Sequence, residues 1–118
     1  MNNWNPYPPE FLQAIAQFNQ GEYYACHDTL EALWMEAIEP ERTLYQGLLQ
    51  MAVAGYHLGN GNQRGAILLL GEGLSRLRRC QELPPGWDFG GLIQQGQILL
   101  AHLQAQHSCE FNLRLLPL

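Results

Sequence analysis

The chain contains no lysine, and charged residues of every kind fill only 14% of its 118 positions. Six arginines against eleven acids leave a net charge of −5. A broad basic face for a phosphate backbone cannot be built from these residues, so no nucleic-acid partner is expected. Cysteine is also scarce. Cys26, Cys80 and Cys109 are odd in number, far apart and outside any C-x-x-C spacing, which argues against a disulfide framework or a zinc finger. No apolar run is long enough to cross a bilayer. The weakly polar stretch 47–59 is interrupted by Gln50 and His57 and falls short of the roughly 18 residues required. Residues 1–10 lack the basic and apolar character of a secretory or transit leader, so the expectation is a cytoplasmic protein with no membrane partner. Neither G-x-G-x-x-G nor G-x-S-x-G occurs, which removes the motif basis for nucleotide binding and serine hydrolysis.

Apolar residues make up 47% of the chain, enough for one compact core over residues 1–118 and too much for disorder. Their spacing is helical. Pro8 and Pro9 suit a first helical turn, and Phe11, Ile15 and Phe18 recur at helical intervals before Gly21, giving a helix over about 9–20. A second helix is expected over 22–39, with Tyr23, Leu30, Trp34 and Ile38 inward and Pro40 as its stop. A third, over 41–58, carries Leu44, Leu48, Met51, Gly55 and Leu58 on one face before the Gly59-Asn60-Gly61-Asn62 turn. Asn62 caps a fourth over 63–83, and Asp88 caps a fifth that runs to about 106. With no β-type alternation to compete, the expected fold is all-α: a single-domain antiparallel bundle of about five helices. The apolar segment 109–118 has no clear period and is expected to pack across the bundle or against a second copy.

Glycines 47, 55, 65, 71 and 73 fall within helices three and four, where each interior one costs about 1 kcal/mol against alanine. Close approach of the two helices is the plainer explanation. Room for a ligand is the sharper one.

The main anomaly is polar. His27 and Glu31, four apart on helix two, share the stripe of Tyr23, Leu30, Trp34 and Ile38, where ionisable groups are costly without partners. On helix three, Gln46, Gln50, Val53 and His57 recur at four, three and four residues and line one side. If the rows face each other, one pocket holds two imidazoles, a carboxylate and two carboxamides. A His/Glu pair at i and i+4 can grip one divalent ion such as zinc, manganese or iron. His57 would supply a third ligand and leave a position for water, the minimum for a hydrolytic centre. Gln46 and Gln50 would orient ligands, and Trp34 would form an apolar wall. In these terms His27, Glu31 and His57 are the candidate metal-binding or acid/base groups. The competing reading is a non-enzymatic interaction module, in which the same residues specify the core and an apolar surface or segment 109–118 forms a homodimer interface.

Two segments, 18–34 and 44–66, resemble the family known as domain of unknown function 309. The family's H-x-x-x-E-x-x-W hallmark is matched by His27, Glu31 and Trp34, and its second block by Gly47, Leu48, Leu49, Gln50, His57, Gly61 and Asn62. Leu49 and Asp28 depart from the residues often found there. The similarity extends over about residues 18–77. It implies an all-helical bundle in which His27, Glu31, Gln50 and His57 belong to one shared feature, and it implies no particular reaction.

Overall fold

The structure, a computed structural model, describes residues 7–118, so most of the leader reading over residues 1–10 falls outside it. Five helices follow one another: α1 (Pro9–Asn19), α2 (Tyr23–Glu36), α3 (Glu41–Gly59), α4 (Gln63–Arg79) and α5 (Phe89–Gln104). The described residues form no sheet, only a single antiparallel bridge between Trp87 and Pro117. Each helix packs chiefly on its neighbours in sequence, α1 on α2, α2 on α3, α3 on α4 and α4 on α5. Short connections make those neighbours antiparallel. The result is an elongated all-α bundle of about 44 × 24 × 22 Å, with α3 at its centre.

Local chemistry sets the boundaries. Gly21, at a φ of 78°, takes the left-handed conformation that ends α1. The Asn62 side chain accepts from the Gly65 N–H at 3.0 Å, and Asp88 accepts from the Gly91 N–H at 2.8 Å, so both expected caps are present. Helix α2 stops at Glu36, three residues before the expected end, for a reason that lies on α3. The Arg42 guanidinium donates to the carbonyl oxygens of Trp34 and Ala37, at 3.0 and 3.4 Å, and stacks 4.0 Å over the Trp34 ring. These contacts satisfy carbonyls that would otherwise need another helical turn. Helix α4 ends at Arg79 rather than residue 83, with Cys80 already extended four residues before Pro84.

The core is built from Phe11, Phe18, Leu30, Leu44, Met51, Leu70, Leu74, Leu77, Phe89, Leu92 and Leu103. At the α3–α4 contact the plain reading holds for Gly47 and Gly73, while Gly55 packs against the rings of Tyr23 and Phe111, Gly65 meets the Asn62 cap and Gly71 meets only Leu100 at 4.0 Å. A Cβ on Gly73 would lie 2.8 Å from the Gly47 carbonyl oxygen, so the two backbones nearly touch. Segment 109–118 lies across the bundle. Leu113 and Leu115 are buried, and the Asn19 carboxamide brackets Leu115, donating to its carbonyl and accepting its N–H, both at 2.8 Å. Gln95 of α5 brackets Arg114 in the same way, at 3.2 and 3.1 Å.

Candidate functional site

Helix α2 buries Cys26 and Leu30, with Tyr23 and Leu33 partly buried beside them. That stripe is turned from the expected one by about half a residue step, roughly 50° of helix, with Tyr23 and Leu30 common to both. Ile38, expected inside, lies beyond the helix and is 77% exposed. His27 and Glu31 therefore stand on the flank of the stripe rather than at its centre, with side chains 27% and 48% exposed. An exposed flank keeps the carboxylate in water, which removes the desolvation cost an inward Glu31 would carry.

On that flank the imidazole lies between two carboxylates. His27 Nδ1 is 3.2 Å from Asp28 Oδ1, and Nε2 is 3.3 Å from Glu31 Oε2. A neutral imidazole donates from one ring nitrogen only. Whichever tautomer it adopts, the other contact sets a lone pair against an oxyanion, an arrangement that a metal cation bound between them would favour. His27, Asp28 and Glu31 can each place one ligand atom within 4.8 Å of the others. Asp28 escapes the sequence reading because neighbours at i and i+1 do not share a helix face; the length of the imidazole brings Nδ1 back to it.

The α3 row divides. Val53 and His57 face α2 and line a cleft of about 150 Å³ with Tyr23, Tyr24, His27 and Tyr56. Four rings follow one another along it, His27 to Tyr24 at 6.0 Å, Tyr24 to Tyr56 at 5.5 Å and Tyr56 to His57 at 6.0 Å between centroids. The two histidines share the cleft, yet His57 is not in the group of ligand atoms around His27, and its Nδ1 lies 3.2 Å from Asn62 Nδ2.

Gln50 turns toward α4, contrary to the expectation that it joins His27. Buried at 8% exposure, it donates from Nε2 to Glu72 Oε2 and accepts from Arg76 Nε, both at 2.9 Å. A buried carboxamide needs both a donor and an acceptor, and Glu72 and Arg76, one turn apart on α4, supply the pair. Gln46 is half-buried on α3 and does not line the His27 cleft. Trp34 is not a wall of that cleft either: it forms the α2–α3 corner under Arg42, with its indole N–H buried and unpartnered.

Among the remaining groups, burial pushes the Cys26 thiol up to about 12, which makes it an inert core residue. Burial raises Cys80 as well, with nearby Glu39 adding to the shift and Arg79 opposing it. His102 and His107 are exposed, with their Nδ1 atoms 3.1 Å apart.

Comparison with known proteins adds a family and one curated relative. A family model described as "Domain of unknown function (DUF309)" matches residues 11–69. The chain is also 30% identical, over 104 residues, to "Uncharacterized protein YpuF" of Bacillus subtilis (strain 168). That match covers 83% of this chain and 59% of the relative, so the chain spans about three-fifths of the relative's length. No solved structure matches.

Proposed function

The chain belongs to the family described as "Domain of unknown function (DUF309)", and we propose that it is a binding protein whose α2 flank takes a divalent metal on His27 and Glu31. One observation carries this reading, the 3.3 Å between His27 Nε2 and Glu31 Oε2. Two ligands bound at 2.0–2.2 Å and separated by a tetrahedral angle lie about 3.3–3.6 Å apart, so the pair already has the edge length a zinc-like ion requires. Asp28 accepts from Nδ1–H and aims Nε2 at the ion, the orienting role that outer carboxylates play for metal-bound histidine. Water fills the open positions on the exposed side, and hydrolysis is the reaction class such a centre would serve. A bound molecule would extend along the aromatic cleft toward His57, which is suited to hydrogen bonding or proton transfer at the far end. Three free thiols fit a reducing cytoplasm.

The test is titration of untagged protein with zinc and manganese. Binding near one ion per chain is expected, lost in His27→Ala and strongly weakened in Glu31→Gln, with the melting temperature of the metal-free protein little changed in Glu31→Gln. At a hundredfold excess over Kd the ion should add about 2.7 kcal/mol of stability. Absence of metal uptake by the unmodified chain removes the proposal.

A second reading, a self-associating module, is favoured by the exposed apolar residues Met35 and Ile38 at the end of α2 and by Leu116 and Leu118. Under it the chain is dimeric in solution and Ile38→Asp renders it monomeric.

A further inference from the structure

No arginine has a carboxylate oxygen within 4.0 Å among the described residues; the two ion pairs there both involve His27. The chain has eleven acids to six arginines, so this lack of arginine ion pairs among the described residues is not for want of carboxylates. Three of them end α4, and two of those, Arg76 and Arg79, line a cleft of about 400 Å³ with Glu39, Pro40, Thr43, Cys80 and Gln81. Clefts of roughly 300–1,000 Å³ are the size that takes small molecules.

Arg76 is held in place. Its Nε donates to buried Gln50, which Glu72 anchors in turn, so the inner edge of the guanidinium is fixed and its terminal nitrogens remain for the cleft. The opposite wall is the first turn of α3. There the Glu39 carboxylate accepts the Thr43 N–H at 2.7 Å and the Thr43 hydroxyl. An oxyanion is thus already the group this turn receives, and Glu39 supplies it from within the chain. On the lining of the cleft the two guanidiniums of Arg76 and Arg79 face the single carboxylate of Glu39, and guanidinium forks match phosphate oxygens in geometry as well as charge.

We propose that the cleft between the α3 start and the α4 end binds the phosphate group of a small phosphate monoester, with Arg76 and Arg79 as its ligands and Glu39 as a tethered competitor. The cleft is separate from the His27 flank, so either proposal can fail alone. Calorimetric titration of the full chain with inorganic phosphate and with glycerol phosphate, at constant ionic strength, tests it. Saturable binding is expected for both, with the ester at least as tight as the free ion because the cleft has room for its organic part. Arg79→Gln should weaken binding by about tenfold, and Glu39→Gln should tighten it about threefold by removing the competing charge. Arg78→Gln, an exposed change on the same turn but outside the cleft, should leave affinity within about twofold. Arg79 is itself exposed, so its variant should keep the circular dichroism of the parent. The proposal is overturned by no saturation up to about 20 mM phosphate, by equal losses in Arg78→Gln and Arg79→Gln, or by acetate binding as tightly as phosphate.

Discussion

Two glycines on α4, two residues apart, should respond to alanine in opposite directions. A Cβ on Gly73 would lie 2.8 Å from the Gly47 carbonyl oxygen, 2.8 Å from Met51 Cγ and 3.2 Å from the Met51 backbone nitrogen. Two of those three atoms belong to the α3 backbone, which cannot rotate away, so α3 and α4 would have to separate. Overpacking of this kind costs about 1–3 kcal/mol, with the upper end appropriate to backbone, and helix propensity returns about 1 kcal/mol. The net expectation for Gly73→Ala is a loss of about 2 kcal/mol, or roughly 8 °C in melting temperature at this chain length. At Gly71 the nearest atom to a new Cβ is Leu100 Cδ2 at 4.0 Å, an ordinary contact. Gly71→Ala should therefore keep the propensity gain and raise the melting temperature by about 4 °C. Gly47→Ala falls between them, since it meets side-chain atoms of Leu77 and Arg76 at 3.1–3.3 Å that can shift. Urea and thermal unfolding followed by circular dichroism give all three values. If Gly71→Ala and Gly73→Ala move stability in the same direction by similar amounts, the close backbone approach is not what the glycines provide.

Three further outcomes follow from the packing. Asn19→Ala removes both hydrogen bonds to Leu115 and should cost about 1–3 kcal/mol, because a buried backbone donor and acceptor lose their partners together; Asn19→Asp, which keeps only the acceptor, should cost part of that. Gln50→Leu should cost less stability than Gln50→Ala, and a double-mutant cycle between Gln50 and Arg76 should give a coupling of about 0.5–2 kcal/mol, with zero coupling excluding the network. For Cys26 the folded chain holds the thiol proton up to about pH 12 while the unfolded chain releases it near 9.0. The unfolded state therefore binds fewer protons between those values, and stability should fall as pH rises from about 9 to 12. Cys26→Ala should flatten that decline, though not abolish it, because Tyr45 is also pushed up to about 12 by burial and nearby acids. An unchanged slope in the variant would show that Cys26 is not shielded as its packing indicates.

The five helices were readable from spacing because helical order is local: the prolines, the Asn62 and Asp88 caps and the glycine turns are all signals within a few residues of the event. The errors arose where the deciding partner was distant in sequence. The spacing carries α2 through Glu39, because nothing near Ala37 reveals that Arg42 satisfies its last carbonyls. Its inner face lies about half a residue step from the one the spacing predicts, since Cys26, a weak apolar signal, and Trp34, a strong one, compete to define the stripe, and it is Cys26 that the fold buries. Row geometry pairs Gln50 with His27, because it cannot tell which of two flanking helices a residue on α3 will meet. The His27/Glu31 pair itself was visible as an i, i+4 spacing, whereas Asp28 required knowing where the imidazole turns. The hold on segment 109–118 has no periodic signature, because it rests on two side-chain amides that imitate a β-ladder and on the isolated bridge between Trp87 and Pro117.

That amide clasp bears on the order in which the molecule assembles. Every major helix contact joins sequence neighbours, and such contacts close quickly because the loop entropy to be overcome is small. The Asn19–Leu115 bonds span 96 residues, so α1 gains them only after segment 109–118 has been synthesised. On the ribosome the five rods can stack as they emerge, yet the clasp between α1 and residues 109–118 waits until those residues have cleared the exit tunnel to fasten the row.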